Sequence, residues 1–137
     1  MTLRFLDTNI LLYAVGNGQS APTKTSIAQG LLERLDCALS VQVLQEFYVQ
    51  ALRPTRPDAM SHERALGFIE VWSRFPVQSM SLELFHAALG IKARYRLSYW
   101  DAAIVAAAQA LGCETLYSED MANGMTIGST TIVNPFL

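Results

Sequence analysis

Five acidic residues are the most chemically suggestive in this chain: Asp7, Glu46, Asp101, Glu119 and Asp120. Asp7 interrupts the apolar stretch "RFLDTNILLY", with Phe5 and Leu6 before it and Ile10, Leu11 and Leu12 after. A carboxylate in such surroundings is costly to bury and tends to neutralise unless something compensates it. Asp101 is the only charged residue between Leu97 and Glu114, and Glu46 sits among Leu44, Phe47 and Tyr48, from where it can turn inward. Two carboxylates about 5 Å apart repel by roughly 3 kcal/mol at an effective dielectric of about 20. Three or four converging groups must therefore take up protons or bind cations. An all-oxygen cluster without paired His or Cys suits a hard divalent ion, Mg²⁺ or Mn²⁺.

Each acid also has a purely structural reading. Ser98 to Asp101 has the spacing of a capping box, so Asp101 can serve helix amides. Asp7 or Asn9 can cap a short helix beginning near Ile10. Glu46 fits an exposed helical position, and Glu119 with Asp120 fits a turn. Function becomes the stronger reading only if the acids meet in space.

The elements that must bring them together follow from periodicity. Short apolar runs alternate with helical patterns, the signature of β/α units around a mostly parallel sheet. A strand is expected at 3–6, then a helix at 24–35 with Ile27, Leu31, Leu32 and Leu35 on one face. A strand at 38–41 leads into the helix of "VLQEFYVQALR", which "PTRPD" stops because proline cannot continue it. Asp58 or Ser61 can cap the next helix, and "PVQSM" reads as a third strand. Ser81 starts a helix running to about Tyr95. The segment "LSYWDAAIVAAAQALGC" is bounded by Ser98 as N-cap and Gly112 past its end. "CETLYSED" is a fourth strand ending in acids, and "STTIVNPF" a last short one. The expected fold is a single α/β domain over 1–137, with four to five short strands flanked by helices. In such a sheet Asp7, Asp101, Glu119 and Asp120 fall at the C-terminal edge of the strands, where ligands bind.

Bulk properties set limits on this reading. At 137 residues, 51% apolar and 16% charged, the chain is long enough for one real core and too apolar for disorder. No apolar run reaches the length of a membrane span, and "MTLRFLDTN" lacks a signal-peptide pattern, so a cytoplasmic protein is expected. Cys37 and Cys113 read as buried small hydrophobes. A net charge of −2 does not advertise nucleic-acid binding, yet Lys92, Arg94 and Arg96 cluster in "IKARYR". Those cations suit either a solvated last helical turn or a phosphate-contacting patch.

Taken together, "FLDTNILLYA", the acid of "VLQEFY", "SYWDAAIVAAA", "TLYSEDMANG" and the closing "TIVNPF" make the whole chain resemble the PIN-domain ribonucleases, specifically the toxin subunits of VapBC-type toxin–antitoxin pairs. The resemblance implies an acidic quartet of Asp7, Glu46, Asp101 and Asp120 holding Mg²⁺ or Mn²⁺, with Glu119 as the alternative to Asp120. It places Thr8 and Ser118 as hydroxyls beside the quartet and Asn9 as a polar brace for the first acid. It further implies cleavage of RNA phosphodiesters, tRNA among the candidate substrates, a homodimer, and a cognate antitoxin that inhibits the site. Lys92, Arg94 and Arg96 are the candidate substrate-binding cations, with Arg53 and Arg56 also available. His62, His86, Trp72, Phe75 and Phe85 are read as ordinary helix, core or interface residues.

Two rival readings stand beside this one. A haloacid-dehalogenase-type phosphatase would use Asp7 as nucleophile, but its motif wants an acid two residues on, where Asn9 stands. A non-catalytic binding module would use its acids only as helix caps and would show no metal-dependent cleavage.

Overall fold

The computed structural model describes residues 2–16 and 21–137. Of the single domain expected over 1–137, residues 1 and 17–20 lie outside the described residues. Among the described residues, six strands and six helices follow in the order β1 (Arg4–Leu6), α1 (Thr8–Ala14), α2 (Pro22–Leu32), β2 (Cys37–Ser40), α3 (Val41–Ala51), α4 (His62–Trp72), β3 (Val77–Gln78), α5 (Leu82–Tyr95), α6 (Tyr99–Ala110), β4 (Thr115–Tyr117), β5 (Thr126–Ile127) and β6 (Thr130–Val133). The sheet order is β3-β2-β1-β4-β6-β5. Every pairing is parallel except that of β5 with β6. The helices cover a sheet whose central strands are buried, as parallel strands require.

β1 sits at the middle of this sheet, with Phe5 and Leu6 fully buried. Around them pack Ile10, Leu11, Leu39, Val43, Phe47, Leu116 and Ile132. Between Asp101 and Gln109 α6 is apolar on all sides, and every residue from Ala102 to Ala108 is buried. A helix without a polar face belongs inside, and its alanines let it lie close to its neighbours. Gly112 follows it at φ 72°, the left-handed conformation that reverses the chain into β4 at no Cβ cost. Cys37 and Cys113 are both buried thiols, and burial pushes each up to about 11.

Several boundaries move from their expected places for identifiable reasons. Pro22 opens α2 at its first position, where its missing N–H costs nothing. The helix stops at Leu32, and Leu35, although on the right spacing, is 85% exposed because no surface lies opposite it. Ser40 Oγ accepts from the Val43 N–H at 3.2 Å, so Val41 opens α3 and is not the last residue of β2. Ser61, not Asp58, caps α4. β3 keeps only two residues of the expected 76–80. The sheet has one strand beyond the four to five expected, because Gly128 at φ 60° turns Ile127 back onto Thr130 as a tight hairpin.

Candidate active site

Parallel strands deliver their C-terminal ends to a common edge, and the acids gather there. Asp7 follows β1 directly and is only 5% exposed. One of its oxygens caps α1 by accepting from the Thr8 N–H at 2.7 Å. The other accepts the Ser118 hydroxyl at 2.7 Å, and Ser118 follows β4, the neighbouring strand. Ser118 Oγ also accepts from the N–H groups of Asp120 and Met121, each at 3.3 Å. One hydroxyl thus fastens the turn after β4 to the acid after β1.

Glu46 reaches the same place from α3, where Thr8 Oγ1 donates to it at 3.1 Å. Asp101 arrives in the first turn of α6, whose start is fixed by Ser98 Oγ accepting from the Asp101 N–H at 3.1 Å. Asp120 is held by Asn9 Nδ2 at 3.1 Å. The Asn9 carbonyl oxygen accepts from the Glu119 N–H at 3.3 Å. Asn9 therefore braces the acidic turn after β4, not Asp7 as the resemblance implies. Asp7, Glu46, Asp101 and Asp120 line a cleft of about 130 Å³ with Thr8, Asn9, Leu12, Gln50 and Ile104.

The two adjacent acids after β4 part company. Glu119 accepts from Tyr13 OH at 2.7 Å and pairs with Lys24, whose ammonium also lies over the Tyr13 and Phe136 rings. Burial raises the Glu119 pKa, but the bonds from Lys24 and Tyr13 outweigh it and hold the carboxyl below its usual value. Glu119 is thus spent on anchoring α1 and α2, and only Asp120 faces the cleft.

The remaining acids carry charge with no cation beside them. Burial pushes Asp7 up to about 6 against the lowering bonds from Ser118 and Thr8, and the charges of Glu46 and Asp101 add to the rise. Burial likewise raises Glu46 and Asp101, which also feel Asp101 and Asp120 respectively. Among the described residues no ion pair involves any of the four. An oxygen-only set of mutually repelling acids fits a hard divalent ion, which would reverse each of these penalties. Among the described residues no three acids, His or Cys stand close enough to form a finished metal cage. Repelling carboxylates held by separate hydrogen bonds are expected to stand apart until a cation draws them together.

The expected cations do not join this cleft. Lys92, Arg94 and Arg96 are exposed, and Arg94 lines a separate cleft of about 340 Å³ with Tyr95, Gln109 and Gly128. His62 and His86 are exposed outside the acidic cleft, and the His62 ring bonds Tyr48 OH at 3.0 Å. Gln50, a lining residue, was not anticipated. The available signal was the spacing Gln42, Glu46, Gln50, which places a polar stripe along one face of α3.

A family model described as "PIN domain" matches residues 4–122. The chain belongs to the PIN-domain family. No curated protein matches it. Its PIN fold is similar to a toxin–antitoxin complex from Klebsiella pneumoniae, at TM-score 0.70 and 22% identity over 96% of this chain and 97% of that one. It is also similar to VapBC2 from Rickettsia felis bound to a promoter DNA fragment, at TM-score 0.65 and 17% identity over 96% and 97%. A third similar structure is VapC20 of Mycobacterium tuberculosis, described as a sarcin–ricin loop cleaving toxin, at TM-score 0.64 and 19% identity over 85% and 90%. At these identities the likeness establishes the PIN fold.

Proposed function

We propose that this PIN-domain protein is an endoribonuclease dependent on Mg²⁺ or Mn²⁺ and the toxin of a type II toxin–antitoxin pair. The observation that carries this reading is the buried Asp7, without a cationic partner, sharing one cleft with Glu46, Asp101 and Asp120. Asp7 and Asp101 would hold the ion, with Asp120 directly or through water, and Glu46 would orient the attacking water. Ser118 and Thr8 fix the Asp7 and Glu46 carboxylates, and Asn9 fixes Asp120. When bound, the ion supplies Lewis acidity at the phosphate and a water of lowered pKa.

The small cleft favours a splayed phosphate of single-stranded or looped RNA over one in a duplex groove. Structured RNAs such as tRNA are the substrates the family resemblance suggests. Lys92, Arg94 and Arg96 contact phosphates away from the scissile one. The toxin assignment draws on the similar structures, which are described as toxin–antitoxin complexes. Exposed Leu66 and Val71 on α4 and Leu82, Phe85 and Leu89 on α5 offer apolar surface for a homodimer partner and for an antitoxin. Among the described residues no helix is long and apolar enough to cross a membrane, and a cytoplasmic site of action accords with this.

The test is cleavage of single-stranded, looped and duplex RNA by purified protein with Mg²⁺, with Mn²⁺ and with EDTA, alongside Asp101→Asn. Cleavage that needs the metal and disappears in the variant supports the reading. Undiminished cleavage in EDTA and in the variant would sink it, and no cleavage under any condition would favour the non-catalytic module.

A further inference from the structure

We propose that Gln42 is a positioning residue that sets Glu46 against Asp101 for metal capture, an inference that rests on the metal reading above. Gln42 lies in the first turn of α3, one helical turn before Glu46 and on the same face. Its side chain is nearly buried, at 6% exposed. Its amide Nε2 donates to the Trp100 carbonyl at 3.1 Å, the backbone unit immediately before Asp101. Glu46 stands one turn further along the same face, where Thr8 Oγ1 donates to its carboxyl at 3.1 Å. One amide therefore ties the turn of α3 that precedes Glu46 to the backbone that carries Asp101 on α6.

The amide's orientation is decided by this partner. The Trp100 carbonyl can only accept, so the NH₂ must face it, and Oε1 is left buried without a donor. A buried acceptor without a partner is unfavourable, and a methionine or leucine would fill similar volume without one. Packing alone gives no reason for glutamine here, whereas joining α3 to the start of α6 does. The two helices have other anchors. α3 is fixed by the Ser40 cap and buried Val43 and Phe47, and α6 by its buried run from Ala102 to Ala108. Removing the Gln42 amide should therefore leave the fold standing and relax the relation between the two acids.

The experiment measures Mn²⁺ uptake by the full chain, read from the electron paramagnetic resonance signal of free Mn²⁺, together with the melting midpoint in EDTA. Gln42→Met is compared with wild type and with Ser40→Ala, which weakens α3 without touching the amide bridge. The expected result is a 10–100-fold loss of Mn²⁺ affinity in Gln42→Met, the range typical of outer-shell partners, at a melting midpoint equal to or above wild type. Ser40→Ala should melt earlier and bind Mn²⁺ normally. Wild-type affinity in Gln42→Met, or an equal loss in Ser40→Ala, overturns the role of Gln42 alone. Absence of Mn²⁺ uptake by the wild-type protein overturns the metal reading itself, and this role with it.

Discussion

The Ser118 hydroxyl donates to Asp7 at 2.7 Å, 111 residues away in sequence, and so joins the C-terminal ends of the two central strands at the acidic cleft. Ser118 is fully buried, so its loss leaves an Asp7 oxygen without a donor. Ser118→Ala is expected to cost about 1–3 kcal/mol in chemical denaturation. It should also weaken Mn²⁺ binding by about 10- to 100-fold, which isothermal titration would show.

Asp7 makes the metal-free protein lose stability as pH rises through the acid range. Its folded pKa, about 6, lies above the ordinary 3.8, so folding favours the protonated form. The stability this contributes is complete below about pH 4 and is lost as pH rises through about 6. A rise of that size is worth roughly 3 kcal/mol. Melting midpoints in EDTA should fall between pH 4 and pH 7, and Asp7→Asn should flatten that fall. Saturating Mg²⁺ should stabilise the wild-type protein most above pH 6, where Asp7 is free to bind it.

Asp101→Asn keeps the shape of the α6 terminus and the Ser98 cap while removing a charge from the cleft. Cleavage should drop by more than the 10–100-fold typical of outer-shell changes, with circular dichroism unchanged. Single-turnover assays across a Mn²⁺ titration would check this, and full activity in the variant would remove Asp101 from the proposed ligand set.

Glu119 and Asp120 should separate cleanly on substitution. Glu119→Gln loses a solvent-screened ion pair with Lys24, so it should melt close to wild type and bind Mn²⁺ as wild type does. Asp120→Asn should retain stability and lose Mn²⁺ affinity. A reversed pattern would make Glu119 the fourth acid.

Phe47 follows Glu46 and is fully buried, edge-on to the Trp72 ring with centroids 4.7 Å apart. Phe47→Ala should cost about 3–5 kcal/mol, measured by denaturant midpoint.

The order of elements was legible because periodicity and caps are local. The segment from Ser98 to Gly112 shows this best: its N-cap, its apolar run and its glycine stop all act within a turn of one another. Ends set by tertiary contact were not legible. Leu35 has the right spacing and nothing to pack against, and the two-residue β5 exists only because β6 is there to pair with it.

Residue types alone singled out the acids, because carboxylates are conspicuous in apolar runs. Tertiary structure decided how they are held. It assigned Glu119 to Lys24 and Tyr13, turned Asn9 towards Asp120, and left Lys92, Arg94 and Arg96 outside the cleft. It also drew Gln42 and Gln50 into the surroundings of Glu46. Hydrophobic pattern and capping depend on neighbours a few residues apart, so the chain carries them by itself. Which oxygen meets which hydrogen across 111 residues depends on strand order and helix packing, and only the assembled fold fixes those.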